Sequence, residues 1–143
     1  MSAIKAGIYI KSTADLNGSF FEHTTIFVVE HNNAGSLGFV TNKHFGKSLH
    51  ELIEFNQAKP FPLMDGGPVE RDHLFVLHKR PDLIEGGEQV ANGLYLGGNM
   101  EQVIDSINTQ SIAKEDLQLF IGYCGWDAGE LEEELKEGSW TLG

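Results

Sequence analysis

Basic residues are scarce in this chain of 143 residues, because ten lysines and arginines stand against 21 aspartates and glutamates and give a formal net charge of −11 at pH 7. Nucleic-acid binding draws most of its affinity from Lys and Arg side chains that neutralise phosphates. The basic residues are also scattered, and Lys79-Arg80 is the only adjacent pair. We therefore expect neither a nucleic-acid-binding surface nor attraction to an anionic membrane.

Cysteine is almost absent, since Cys124 is the only one. A single cysteine excludes an internal disulfide and a multi-cysteine zinc site. No apolar run approaches the ~20 residues of a membrane span, and the first residues lack the apolar core of a signal peptide. The expected location is cytoplasmic.

Metal-binding spacings are missing among the six histidines, since no H-x-H or H-x-x-x-H motif occurs. A site combining His31, Asp65 and His78 from different segments stays open as an alternative. We expect no metal and no bound cofactor.

Short apolar segments bounded by turn residues predict a chain rich in strands. The turn residues at 31–35 predict that the second and third strands form a hairpin, in which Glu30 and His31 point to opposite faces. The hairpin is antiparallel, which favours a mixed sheet in an α+β fold over a doubly wound sheet. The strands are expected at 4–10, 24–30, 37–41, 74–77, 93–96 and 117–121.

Three N-cap signals predict about three helices. In the first helix we expect Leu49, Leu52 and Ile53 to face inward. The second helix has the strongest apolar periodicity, over 100–107. The N-cap residues, each with its partner three positions later, are Ser48 with Glu51, Asn99 with Gln102, and Asp127 with Glu130.

Three sequence blocks, in a fixed order over 22–141, resemble those of the YqgE/AlgH family. The first is Glu30-His31-Asn32 with Gly35, Gly38 and Asn42. The second is Gly66-Gly67-Pro68-Val69 with Asp72, Phe75 and Leu77-His78. The third is Gly122-Tyr123, Gly125-Trp126, Gly129, Leu131-Glu132 and Trp140.

No internal repeat and no Pro- or Ser-rich linker divides the chain, which predicts a single domain over 1–143. The resemblance implies an α+β fold with a strongly bent, mixed and largely antiparallel sheet, partly barrel-like and flanked by helices. It implies no reaction, although some family members carry a transcriptional-regulator label. Family members generally continue beyond the position of Trp140, so the resemblance implies that a C-terminal segment is missing here. Two positions depart from the family pattern, with Cys124 in place of Ala and Glu130 in place of Gln.

Cys124 is a possible nucleophile, because a helix starting after 122–126 would lower its thiol pKa and His31 or His78 could act as the base. We favour a small buried hydrophobe, which is the usual role of a free cysteine. The Gly66-Gly67-Pro68 segment could form an anion pocket, but Pro68 removes one donor and a structural turn is favoured.

Tyr123 and Trp126 could line a pocket with Glu132 as an acceptor. We favour the interpretation that Trp126 and Trp140 clamp the last helix onto the sheet. The glutamate run over 130–137 is typical of a solvated helix face.

The leading hypothesis is a non-enzymatic binding or regulatory module for a protein partner or a small ligand, present as a monomer or weak oligomer. The rival is a hydrolase that uses His31 or His78 as base, with Glu30 or Asp72 orienting it. A DNA-binding regulator is the third hypothesis, which the net charge disfavours. The expected functional region consists of Glu30, His31, Asn42, Gly66, Gly67, Pro68, His78, Tyr123, Trp126 and Glu132.

Overall fold

Strands dominate the computed structural model, which describes residues 4–143. Its ten strands are β1 Tyr9–Ser12, β2 Thr25–Asn32, β3 Gly35–Val40, β4 His44–Ser48, β5 Pro62–Asp65, β6 Val69–His78, β7 Glu88–Ala91, β8 Leu94–Leu96, β9 Leu117–Asp127 and β10 Trp140–Leu142. The helices are α1 Met100–Asn108 and α2 Glu130–Lys136, together with 3₁₀ turns at Ala14–Leu16, Leu49–Glu51, Ile53–Phe55 and Lys114–Asp116.

All ten strands belong to one sheet with the order β10-β1-β2-β3-β9-β6-β8-β7, in which β5 joins β9 and β4 joins β5. The β5–β9 pair is parallel and the other pairs are antiparallel. The predicted α+β class and largely antiparallel mixed sheet are therefore confirmed. The sheet does not close, and the described residues contain two α-helices where we expected about three.

Strand β9 is shared by the two halves of the sheet. Its first part pairs with β6 and β5, and its last part pairs with β3. Between these parts Gly122 adopts a φ of +74°, a left-handed conformation that glycine adopts without strain. The prediction that 122–126 turns the strand into a helix is wrong, because the chain bends at Gly122 and continues as a strand to Asp127.

The loop between β5 and β6 crosses β9 at its bend, and the two backbones are in direct contact there. The N–H of Gly66 donates to the carbonyl of Ile121 at 2.8 Å, and the carbonyl of Gly66 accepts from Val40 at 2.9 Å. A Cβ atom on Gly67 would overlap the carbonyl group of Tyr123, and one on Gly122 would overlap the carbonyl oxygen of Gly67. The two glycines of the loop therefore permit the approach of two backbones, which is the turn role favoured from the sequence.

Three apolar clusters fill the space around the bent sheet. The first includes Val103 and Ile107 of α1 against Leu119, which confirms the periodicity of that helix. The second includes Ile26, Cys124, Trp126, Leu131 and Trp140 beneath α2. The third is aromatic and includes Phe39 stacked on Phe120 at a centroid distance of 4.6 Å.

The first predicted strand lies further along the chain than expected. Gly7 has a φ of +95° and its N–H donates to the carbonyl of Val28, so regular pairing begins only at Tyr9. Strands β4, β5, β7 and β10 were not predicted, and none of them has more than five residues. None of the helices in the described residues is long and apolar enough to cross a membrane.

The predicted helix after Ser48 is two separate 3₁₀ turns. Glu51 accepts from the N–H of Ser48 at 2.6 Å, as the capping signal predicts. Leu52 then adopts an extended conformation, so the first turn cannot propagate. Leu49 is buried as expected, but Ile53 is 90% exposed and its predicted inward orientation is wrong.

Helix α2 begins later than predicted, with Gly129 as its N-cap at a φ of +80°. Asp127 stays in β9, where its N–H donates to the Glu130 carboxylate at 3.1 Å. Glu130, which the sequence placed at N3 of the helix cap, therefore accepts a hydrogen bond from the last residue of β9 and does not close a capping box.

Both tryptophans share one acceptor on α2. The indole N–H groups of Trp126 and Trp140 donate to Oε1 of Glu134 at 3.0 and 2.9 Å. The rings meet edge to face at 6.0 Å, and both residues are buried. The clamp expected from the sequence is confirmed, but Glu134 belongs to it rather than to a solvated helix face.

Replacing Glu134 by Ala should lower the free energy of unfolding by about 2 to 4 kcal/mol, because two buried indole donors lose their acceptor. Urea denaturation followed by circular dichroism measures this. Glu133→Ala is the matched control, since Glu133 is exposed on the same helix. Equal losses in the two variants would contradict the shared-acceptor role.

Candidate functional site

A shallow cleft of about 380 Å³ opens where the β2–β3 hairpin meets the end of β9. Strand register explains its composition, because Glu30 faces Leu37 on β3 and Leu37 faces Gly125 on β9. Residues directly opposite each other in an antiparallel pair share a face of the sheet. The lining includes Glu30, Leu37, Val69, Tyr123, Gly125 and Asp127.

The floor of the cleft is open because Gly125 has no side chain. A Cβ atom at Gly125 would lie 3.3 Å from Cε1 of Tyr123, so the tyrosine ring lies directly beside this glycine. Leu37 and Tyr123 are half-buried, whereas Gly125 is exposed. The cleft thus combines an aromatic wall with accessible backbone.

Negative charge surrounds this aromatic wall. Glu30 and Asp127 are exposed, and Glu30 is held by a hydrogen bond from the Asn32 amide at 2.9 Å. Burial and the nearby Glu70 carboxylate raise the pKa of the Tyr123 hydroxyl, so this phenol stays protonated at neutral pH. Carboxylates beside an aromatic ring favour a cation.

His31 lies on the opposite face of the sheet. It pairs across the hairpin with Ser36, which in turn pairs with Trp126, so the predicted separation of Glu30 and His31 is confirmed. Its Nδ1 lies 2.6 Å from Ser36 Oγ, and its Nε2 lies 3.6 Å from Glu132 Oε2. The expected single functional region is therefore divided, with Glu30 and Tyr123 on one face and His31, Trp126 and Glu132 on the other.

Asn42 has a structural role at the start of β2. Its Oδ1 accepts from the N–H of Thr25 at 2.9 Å, and its Nδ2 donates to the carbonyl of His23 at 3.0 Å. Both polar groups of the amide are thus used locally. Pro68 is exposed after the buried Gly66-Gly67 crossing, and no side chain of that segment lines the cleft.

His78 lies in the core, with no exposed surface. Its Nδ1 accepts from the N–H of Arg80 at 3.1 Å, and its ring stacks on Tyr95 at 5.7 Å. Burial lowers the pKa of His78, and the nearby Gly97 carbonyl offsets part of that effect. The Nε2 atom of the ring has no hydrogen-bond partner among the described residues. A substrate cannot reach this ring, so its predicted place in the functional region, as a hydrolytic base, is wrong.

The carboxylates that we expected to orient a histidine base lie elsewhere. Glu30 is on the face opposite His31, and Asp72 is highly exposed beside His73 at 3.6 Å. The carboxylate facing His31 is instead that of Glu132.

Cys124 is fully buried within β9, and its thiol donates to the Gly66 carbonyl at 3.4 Å. Burial raises the pKa of the thiol to about 12. The interpretation as a nucleophile at a helix N-terminus is wrong, because the strand continues past the cysteine and no helix begins there. The favoured role as a buried hydrophobe is confirmed.

The residues of the open metal-site alternative do not come together. Asp65 binds Arg71 in a two-bond ion pair at 2.6 and 3.2 Å, while His31 and His78 have the separate surroundings given above. Among residues 4–143, no group of three His, Cys, Asp or Glu side chains is arranged to hold a metal ion.

The sequence profile of the family DUF179, described as AlgH-like, matches residues 9–143. The chain belongs to this AlgH-like family. The family resemblance of the three sequence blocks is thereby confirmed.

Relatives named UPF0301 protein are similar over most of this AlgH-like chain. That of Chlorobaculum tepidum is 41% identical over 137 residues, covering 96% of this chain and 73% of the relative. That of Chlorobium luteolum is 39% identical and covers 96% of this chain and 72% of the relative. Their names state no activity.

Two solved structures share the fold. The solution structure of the AlgH protein from Pseudomonas aeruginosa has a TM-score of 0.78 at 27% identity and covers 100% of this chain and 79% of that protein. A crystal structure from Corynebacterium diphtheriae has a TM-score of 0.77 at 18% identity and covers 99% of this chain and 76% of that protein. The AlgH-like family assignment thus confirms the fold and leaves the function to be argued from the site.

Sequence reasoning missed Ser36 and Asp127 as functional candidates. Ser36 could have been identified from the sequence, because the predicted hairpin places it opposite His31. Asp127 was assigned to a helix cap, and its place in the cleft depends on the continuation of β9 past Gly122.

The Cys124 thiol should not react with Ellman's reagent in the native protein at pH 8, because it is buried and protonated. In 8 M urea one equivalent should react, and Cys124→Ala should remove that signal. Native reaction at a rate close to that of the unfolded chain would contradict the burial of this thiol.

Stability should fall as the pH drops below about 6.5, with a slope of up to about 1.4 kcal/mol per pH unit from His78 alone. The sign follows because the pKa of His78 is lowered in the folded state, so the unfolded chain binds more protons in that window. Urea denaturation between pH 5 and pH 8 measures this.

His78→Phe keeps an aromatic ring against Tyr95 and should remove this part of the slope. His23→Gln is the control, because the His23 side chain is 83% exposed. The same slope in His78→Phe and the unmodified chain would contradict the argument.

Proposed function

We propose that this AlgH-like chain is a binding module whose acidic cleft takes a positively charged segment of a partner protein. The observation that carries this proposal is the placement of Glu30, Asp127 and Tyr123 around the open floor at Gly125. A regulatory role would follow from the identity of the partner that is bound.

The chemistry of the cleft favours a guanidinium or ammonium group. Glu30 and Asp127 supply carboxylate acceptors, and the ring of Tyr123 supplies an aromatic wall for a cation. Leu37 and Val69 supply apolar contact for the methylene stem of an Arg or Lys side chain. The net charge of −11 adds long-range attraction for a basic partner.

The size of the cleft supports one side chain as its occupant. A volume of about 380 Å³ lies near the lower end of the ~300–1,000 Å³ range of small-molecule sites. The cleft is shallow and open, which favours an anchor residue of a protein surface over an enclosed small ligand. The same negative potential repels nucleic-acid phosphates, so a DNA-binding role is not proposed.

The test is an NMR titration with the capped tripeptide Gly-Arg-Gly. We expect saturating shifts at the amides of Leu37, Gly125 and Asp127. Replacing the arginine by citrulline, which has a similar shape without the charge, should weaken binding at least about tenfold if the cation contributes 1.4 kcal/mol or more. Raising the salt concentration should weaken binding as well.

Glu30→Gln and Asp127→Asn should each weaken binding about two- to fivefold, as expected for partly exposed ion pairs. Glu88→Gln, an exposed carboxylate on β7, should leave binding unchanged. Shifts spread over the whole acidic surface, or equal affinities for arginine and citrulline peptides, would overturn the proposal.

A further inference from the structure

A serine, a histidine and a carboxylate form a chain of contacts between the β2–β3 hairpin and α2. We infer that Ser36 is a nucleophilic serine, with His31 as its general base and Glu132 as a positioning residue, and that this site hydrolyses small acyl esters. Ser36 also lines the acidic cleft, whereas His31 and Glu132 do not, so the two proposals share one residue and differ in the side chains that carry the chemistry.

The contact between the serine and the base is short. Ser36 Oγ lies 2.6 Å from His31 Nδ1, within the distance needed for proton transfer to a general base. The two residues are direct cross-strand partners of the hairpin, so the strand register fixes their separation. A nucleophile held against a base by rigid elements is the arrangement that serine chemistry requires.

Glu132 lies beside the nitrogen of His31 that faces away from Ser36. Its Oε2 is 3.6 Å from His31 Nε2, beyond hydrogen-bond distance, and its negative charge favours a proton on that nitrogen by electrostatic attraction. The lone pair of Nδ1 then faces the Ser36 hydroxyl and can accept its proton. The carboxylate also stabilises the imidazolium that forms when this proton moves, which is the role of the acid in a catalytic triad.

The second oxygen of Glu132 supports this role. Oε1 is buried and has no hydrogen-bond partner within the part of the chain that the structure describes. The Glu132 side chain as a whole is 41% exposed, so the carboxylate is only partly removed from solvent. The group paired with it is the His31 ring, which the carboxylate stabilises once that ring is protonated.

A second serine–histidine pair shows what makes Ser36 different. Ser48 Oγ lies 3.0 Å from His50 Nδ1, but it also contacts the carbonyl and the N–H of Phe61 at 3.0 and 2.8 Å. The Ser36 hydroxyl has His31 as its only hydrogen-bond partner among residues 4–143. No carboxylate in that range forms an ion pair with His50. The Ser48 pair therefore serves as an internal control.

Burial limits the substrate to small acyl groups. Ser36 is 7% exposed and the His31 side chain is 13% exposed.

The reaction balances without a cofactor. Ser36 Oγ attacks the ester carbonyl carbon and its proton passes to His31 Nδ1. The bond from the carbonyl carbon to the alcohol oxygen breaks, and the alcohol leaves with the proton from His31. Water then attacks the acyl-serine with the same proton transfers, which releases the carboxylic acid and restores Ser36.

The test uses a small alkyl fluorophosphonate, whose phosphorus is attacked by activated serines with loss of fluoride. We expect a single addition to the native chain, mapped by peptide mass spectrometry to Ser36. Mapping on the unmodified chain does not depend on the folding of any variant. Heat-unfolded protein should not react.

His31→Gln should lower the labelling rate at least about 100-fold, as expected for loss of a general base. Glu132→Gln should lower the labelling rate about tenfold, and Glu132→Asp should restore part of it. The melting temperatures of both variants are compared with that of the unmodified chain. A merely structural role for Glu132 would not predict these rate changes at an unchanged melting temperature. Ser48→Ala should label like the unmodified chain. No label at Ser36, or a rate unaffected by His31→Gln in a folded variant, would overturn the inference.

Discussion

The close crossing of two backbones at Gly66-Gly67 and Gly122 is the constraint on which the rest of the structure depends. Side chains at these positions would overlap carbonyl groups on the other segment. The crossing bends β9, so that one strand pairs with β6 before the bend and with β3 after it. It also places Tyr123 and Cys124 on opposite faces directly after the bend, one beside the cleft and the other in the core beneath α2.

The β2–β3 hairpin carries two chemically different surfaces, because alternate residues of a strand point to opposite faces. Glu30 and Leu37 contribute to an acidic and aromatic cleft, while His31 and Ser36 face α2. The helix is fixed by Glu134, which accepts from both tryptophans, and this holds Glu132 near His31. The first and third sequence blocks of the family therefore meet along the hairpin without forming one site.

Local sequence patterns predicted the structure correctly where a segment is determined by its own residues. The hairpin turn and the apolar periodicity of α1 predicted both elements, and Asn99 caps α1 through Gln102 as expected. The path of β9 could not be predicted in this way, because its continuation depends on a loop more than 50 residues earlier that bonds to it across Gly66. Without that contact Gly122 is typical of a strand end. For the same reason the sequence placed Asp127 at a helix cap.

The late position of β9 has a consequence for how the chain folds. This strand begins at residue 117, yet it lies between β3 and β6 in the sheet. During synthesis, the edges of β3 and β6 that pair with β9 keep unpaired backbone groups until the last fifth of the chain has been made. Unpaired strand edges are prone to join other chains, and pairing between distant segments is slow. The nascent protein should therefore depend on rapid release or on chaperones more than its modest size suggests.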